Sequence, residues 1–192
     1  MNFRSLMICL RIFSMVWVSF SMASHLLTTT MTAGLILNSG KAVIVVVNKW
    51  DAIEKDTHTM EKMRKQIISD LKFMSYAPVL FLSALTGQRV NTVLSAVKEA
   101  YAQYTKRIPT GVINEALADA QASLQPPMSG GRRLKIYYAT QQSVAPPTFV
   151  FFINHEELMH FAYERYLENQ FRKSFGFQGT PIRFILREKT KE

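Results

Sequence analysis

Asn48, Lys49 and Asp51 stand together at the end of "KAVIVVVNKWD", an unbroken apolar run that stops abruptly on polar groups. The bland explanation is that a strand simply leaves the core on polar residues. The chemical one is that the run delivers them to a ligand. A carboxylate such as Asp51 accepts hydrogen bonds and donates none. Guanine offers it a donor pair, the ring N1–H and the exocyclic N2–H₂, which one carboxylate accepts in bidentate fashion. Adenine has an acceptor at N1 and no amino group at C2, so it would leave the carboxylate unpaired. A buried site built on such a bond rejects the analogue lacking the donor by a factor on the order of 10⁴. Asn48 can donate to N7, and the stem of Lys49 can lie along the base while its ammonium reaches water. Ser83, Ala84 and Leu85 end the next apolar run, and the Ala84 backbone N–H is a candidate donor to O6, an acceptor.

The elements that must position these groups follow from periodicity. Ala42 to Val47 is a continuous, mostly β-branched run, as in a parallel strand covered on both faces. Asp56 or Thr57 can cap a helix to about Phe73, with Met60, Met63, Ile67, Ile68 and Leu71 along one face. "APVLFLSA" predicts a short strand ending at Ser83, and Val90 to about Lys106 a second helix. Strand, helix, strand, helix is an α/β unit, and parallel sheets bind ligands beyond the carboxyl ends of their strands. Pro109 marks a boundary. Thr110 can cap a helix to about Ser123, "QPPMSGG" is a loop, and "RRLKIYYATQ" and "PTFVFFIN" are strands. A helix from about Glu156 to Phe175 and a last strand, "PIRFILRE", complete a compact α+β module.

The chain has 192 residues, 48% apolar and 19% charged, enough to bury a core in one or two domains. Its single cysteine, Cys9, excludes an intrachain disulfide framework and a cysteine metal site. The formal charge of +9 suits an anionic partner such as RNA. Basic residues recur at Arg132, Arg133, Lys135, Arg172 and Lys173, whose alternatives are a solvated face and an RNA-facing surface. No acidic residue precedes Asp51. The segment 1–40 therefore stands apart, as a leader of signal or transit type or as a non-native reading frame. Arg11 interrupts its apolar run, which argues against a membrane span.

"VVVNKWD" and "FLSALTGQRV" resemble the guanine-specificity motifs of the P-loop GTPases. "RIPTGVINEALADA", "LKIYYATQ", "PTFVFFIN" and "HFAYERYLENQFRKSFGFQGTPIRF" are similar to the end of the Der (EngA) double-GTPase family of ribosome assembly. The similarity covers about residues 41–192. It implies an α/β fold, with a partial P-loop GTPase parallel sheet at 41–107 and a small α+β KH-like domain at 108–192. It also implies that Asn48, Lys49, Trp50 and Asp51 bind the guanine of GTP or GDP, that Ser83, Ala84 and Leu85 close the pocket, and that the chain serves the large ribosomal subunit or its rRNA. The family's place of action is the cytoplasm, or an organelle if residues 1–40 are a transit peptide.

The departures weigh as much. A GTPase holds its phosphates and Mg²⁺ with a Gly-rich loop ending in Lys and Ser or Thr. No such loop occurs in these 192 residues: "GLILNSGKA" has one residue too many between its glycines, and Ala42 stands where the metal-binding hydroxyl belongs. Nor is there an Asp-x-x-Gly switch. Mg²⁺ is thus expected of the family without ligands here, and hydrolysis by this chain is doubtful. A KH-like adaptor for rRNA or a G domain, without chemistry, is the alternative, and an inert fragment is another. The GTPase half is expected to lack most of its sheet.

Two further motifs read as architecture. "HEELMH" places His155 and His160 five apart, on different faces of a helix, unlike a zinc protease. "GFQG", Gly176 to Gly179, joins a helix to a strand, so a helix stop and turn suits it better than an RNA-clamping loop. Phe161, Tyr163, Tyr166, Phe171 and Phe175 recur at helical spacing and are mostly core.

Overall fold

The structure, a computed structural model, describes residues 15–20 (backbone only), 38–53 and 58–189. The predicted caps Asp56 and Thr57, and most of the segment 1–40, lie outside the described residues. The chain folds as two compact units. The first runs to Tyr104 and includes Gln178–Pro181; the second comprises Thr105–Phe177 and the chain from Ile182.

The first unit is built on three parallel strands in the order β1 (Met15–Phe20), β2 (Ala42–Val47), β3 (Val79–Phe81). Met15 faces Ala42 and Phe20 faces Val47, while Val45 to Val47 pair with Val79 to Phe81. The central strand therefore has a neighbour on each edge, in a sheet of three strands. All six residues of β2 are buried. Val43, Val45 and Val47 pack with Ile67 of α1 (Thr59–Asp70), Leu71 and Met74. Ile44 and Val46 point the other way, onto Val93 and Ala100 of α2 (Asn91–Tyr104). Helices on both faces explain why this strand reads as a continuous apolar run. Ile68, expected on the inward face of α1, is 38% exposed; it lies about 100° round the helix from the buried Ile67.

The second unit pairs two helices with a three-stranded sheet. Thr110 opens α3 (Thr110–Ser123) as its first helical residue; the cap position belongs to extended Pro109, which offers no side-chain cap bond. The predicted strand "RRLKIYYATQ" divides. Arg132–Arg133 (β5) pairs only with Met128–Ser129 (β4), and β6 (Ile136–Ser143) starts after Leu134 is buried. β6 runs antiparallel to β7 (Thr148–Ile153), which runs parallel to β8 (Arg183–Glu188). The last helix, α4 (Phe161–Phe175), begins five residues later than expected, after a single 3₁₀ turn at Glu156–Leu158. Its cap is the His160 ring, whose Nδ1 accepts from the Ala162 amide at 3.2 Å.

Phenylalanines dominate this core. The Phe171 ring meets Phe149, Phe151 and Phe175 at 5.1, 5.5 and 5.4 Å. Edge-to-face contacts such as Phe149–Phe171 suit the ring quadrupoles. Two phenols tie the start of α4 to the end of α3: Tyr163 donates to the Leu124 carbonyl at 3.0 Å and Tyr166 to that of Ala120 at 2.8 Å. Burial, and secondarily Tyr166, push the Tyr163 phenol up to about 12. Of the aromatic set on α4, Phe161 is the exception to the core expectation, at 70% exposed.

Candidate functional site

Strand β2 ends at Val47 and the next four residues fold into a tight turn. Lys49 adopts a left-handed backbone (φ 62°), and Trp50–Ala52 forms one 3₁₀ turn. A non-glycine residue with positive φ is uncommon and persists where its surroundings hold it. Here two anchors hold it. The Asn48 Oδ1 accepts from the Lys49 amide at 2.8 Å, and the Trp50 indole is buried against Phe81 with ring centres 4.8 Å apart.

The same Asn48 oxygen accepts from the Ala84 amide at 3.0 Å, and the Trp50 amide donates to the Leu82 carbonyl at 3.1 Å. The turns after β2 and β3 are thus stitched together at the carboxyl end of the sheet. The second turn is braced internally. Ser83 is fully buried, with its Oγ accepting from the Thr86 amide at 3.1 Å and its amide donating to Gln88 at 3.0 Å. Lys49 and Asp51 are exposed, and Leu85 is 88% exposed.

The structure sorts the sequence-derived residues by what they can do. Asn48 uses its oxygen within the protein, which leaves the Nδ2 amide as the group that can donate outward. The Ala84 N–H is engaged by Asn48, so its expected freedom to reach O6 is not found in this conformation. Trp50 is a core anchor beneath the turn, and Ser83 braces the loop. Asp51 is open to water, so an unmatched base costs it less than the burial-based factor of 10⁴ assumes. A shallow cavity of about 220 Å³ along α2, lined by Leu80, Thr92, Ser95, Glu99 and Gln178, shares no residue with this pair of turns.

The basic residues do not form one patch. Arg132 pairs with Glu157 at 2.7 Å, Arg133 donates to Gln125 and the Lys135 amide to Asn154, all at the end of the second unit where α4 begins. Arg172 and Lys173 lie in the last turn of α4, roughly 20 Å away by helix rise. Arg172 is largely buried, bridging Glu168 at 2.8 Å and the Phe177 carbonyl at 3.1 Å. Sequence spacing cannot reveal that two clusters occupy opposite ends of one helix.

The described residues contain no group of three or more His, Cys, Asp or Glu able to hold a metal ion. Nor does any helix among them have the length and apolarity to cross a membrane.

Residues 16–103 match the model of the elongation factor Tu GTP binding domain, beginning inside the segment that composition set apart. Residues 107–187 match the KH-domain-like model of EngA bacterial GTPase enzymes, C-terminal. The fold and these matches define a class: part of a GTP-binding domain followed by a KH-like domain. The chain is 60% identical to GTPase Der of Acetivibrio thermocellus over 85% of its own length and 37% of that relative. It is 58% identical to GTPase Der of Alkaliphilus oremlandii over 82% and 36%. This chain belongs to the Der (EngA) family, of which it carries the C-terminal portion. It spans little more than a third of the relatives it matches.

Proposed function

We propose that this chain recognises the guanine of GTP or GDP at the paired turns and serves large-subunit ribosome assembly in the cytoplasm. The observation that carries the reading is the Ala84–Asn48 hydrogen bond of 3.0 Å, which fuses two turns at the carboxyl ends of adjacent parallel strands. Asp51 reads N1–H and N2–H₂, Asn48 Nδ2 donates to N7, and the Lys49 stem covers the base. Trp50, Ser83 and Leu85 belong to the pocket as its floor and rim. Binding through the base alone, without a phosphate loop, is weak, and turnover is not assigned to this chain. The test is a titration with guanosine and xanthosine diphosphates. Xanthine has a carbonyl at C2 where guanine has an amine, so Asp51→Asn should turn preference from guanosine to xanthosine diphosphate. An unchanged preference would reject Asp51 as the reader.

The KH-like unit is the partner-binding half of this proposal, with Arg132, Arg133 and Lys135 as its RNA-facing end and Lys173 at the other. Phosphate contacts release counterions, so RNA binding weakens steeply with salt. Co-sedimentation of the chain with large ribosomal subunits should fall sharply between 50 and 200 mM salt, on the order of tenfold for each two or so phosphates contacted. Salt-insensitive or absent co-sedimentation contradicts it.

A further inference from the structure

The glycines of "GFQG" have separate uses. Gly176 ends α4, its amide donating to the Arg172 carbonyl at 2.8 Å. Gly179 joins the first unit although the chain on both sides of Gln178–Pro181 belongs to the second. Its carbonyl accepts from the Val43 amide at 2.7 Å, and its amide donates to the Tyr76 carbonyl at 2.8 Å. The next residue, Thr180, is fully buried, and its hydroxyl donates to the Ala100 carbonyl at 3.3 Å. Gly179 and Thr180 thus bind β2, the approach to β3, and α2. A side chain at Gly179 would be crowded and strained: an added Cβ would lie 3.0 Å from Ala100 Cβ and 3.2 Å from the Val43 carbonyl oxygen, at a φ of +70°.

From there a continuous ladder runs to the paired turns. Val43 bonds Gly179, Val45 bonds the Pro78 carbonyl at 2.9 Å, Leu82 bonds Val47 at 2.9 Å, Trp50 bonds Leu82, and Ala84 bonds Asn48. Between its ends lies β2, buried on both faces. A close-packed strand of this kind passes on displacement instead of absorbing it.

We propose that Gln178–Pro181 is a clamp that positions the Asn48–Asp51 and Ser83–Leu85 turns, acting through Gly179 at the opposite end of β2. The proposal rests on the guanine reading for its purpose, but its geometry is testable without nucleotide. By linkage, whatever draws the segment away weakens guanine binding, and bound guanine holds the segment in place to the same degree.

The test is amide hydrogen exchange on the full chain without nucleotide, comparing Gly179→Ala with Gly131→Ala. Gly131 has a similar φ of +76° but nothing within 4 Å of an added Cβ, so it carries the backbone strain without the clash. Gly179→Ala should speed exchange at Val43, Trp50 and Ala84 by roughly tenfold or more, with the amides of α1 near wild type. Gly131→Ala should leave all three unchanged. Should Gly179→Ala not fold, Thr180→Val, which deletes the hydroxyl at constant shape, should give the same pattern at smaller amplitude. Acceleration confined to Val43, or spread evenly over the first unit, overturns the proposal. Loss of guanosine diphosphate affinity in step with Ala84 exchange supports its purpose; a pattern as predicted with no guanine binding in either protein would leave the clamp standing and reject the pocket.

Discussion

Strands β2 and β7 are both central and both buried almost end to end, but they are buried differently. β2 is covered on both faces by aliphatic side chains, with helices α1 and α2 on its two sides. β7 turns Phe149, Phe151 and Ile153 toward its helices, while on the opposite face Phe152 stacks on Tyr138 with ring centres 4.3 Å apart. Tyr138 remains 40% exposed. A strand covered on both faces can meet a ligand only at its ends, and β2 places Asn48, Lys49 and Asp51 there. The β7 sheet keeps a partly open side face, on which Tyr138 and Phe152 stand. The first unit is organised around a point, the second around a surface.

The comparison breaks most readily in the aromatic core. Phe171→Ala removes a fully buried ring that touches four others, and should cost about 3–5 kcal/mol. Both tryptophans, Trp17 and Trp50, belong to the first unit, so tryptophan fluorescence reports that unit. Denaturant unfolding followed by far-UV circular dichroism should shift strongly, and the fluorescence transition much less. Equal shifts would mean one cooperative core in place of two.

Asn48→Ala strikes the other unit. It leaves the Lys49 and Ala84 amides without their acceptor and should cost about 1–3 kcal/mol. The fluorescence transition should move while the dichroism of the KH-like unit holds, and guanine binding should be lost.

Smaller effects sharpen the contrast by pH. The Tyr163 phenol is raised from 10.0 to about 12 in the fold, so the unfolded chain ionises first. Its contribution is fully present below about pH 10 and is lost as pH rises toward 12. Tyr163→Phe should cost about 1 kcal/mol at neutral pH through the lost bond to Leu124, and should flatten the alkaline decline. Urea midpoints at pH 9 and pH 11 measure both.

The smallest effect is expected at Glu164. Burial, and then repulsion from Glu168, hold its carboxyl above the usual carboxylate range. The folded state therefore favours the protonated form, and that stabilisation is present in acid and lost as pH rises through the raised value. Glu164→Gln should slightly raise the midpoint, and raise it more at pH 7 than at pH 4. A variant less stable than wild type at pH 7 contradicts that cause.

Sequence and structure agree where one physical signal dominates. The run Ala42–Val47 specified a two-faced strand, and "NKWD" after it specified a turn at the carboxyl end of the sheet, because burial and polarity change together there. The strand "PTFVFFIN" and the helical spacing of Tyr163, Phe171 and Phe175 marked the second core in the same way. What escaped reading depended on distant partners. Nothing local marks the Ala84 amide as bound by Asn48, thirty-six residues away. Trp50 sits inside "NKWD" among polar residues yet is fixed by packing on Phe81. Gly179 carried a visible signal, a second glycine beyond a helix stop already provided by Gly176, but which backbone needed that space is a tertiary fact. Arg132 and Arg172 are both basic in sequence, and only the fold separates their ends.

The central claim, that the two stitched turns form one guanine-reading site, is tested most directly by residue-resolved amide shifts during titration with guanosine diphosphate and, separately, adenosine diphosphate. Guanosine diphosphate should move the amides of Asn48 to Asp51 and Ser83 to Leu85 together, along one binding curve, while adenosine diphosphate leaves them still. Equal responses to both nucleotides, or movement of one turn without the other, would contradict it.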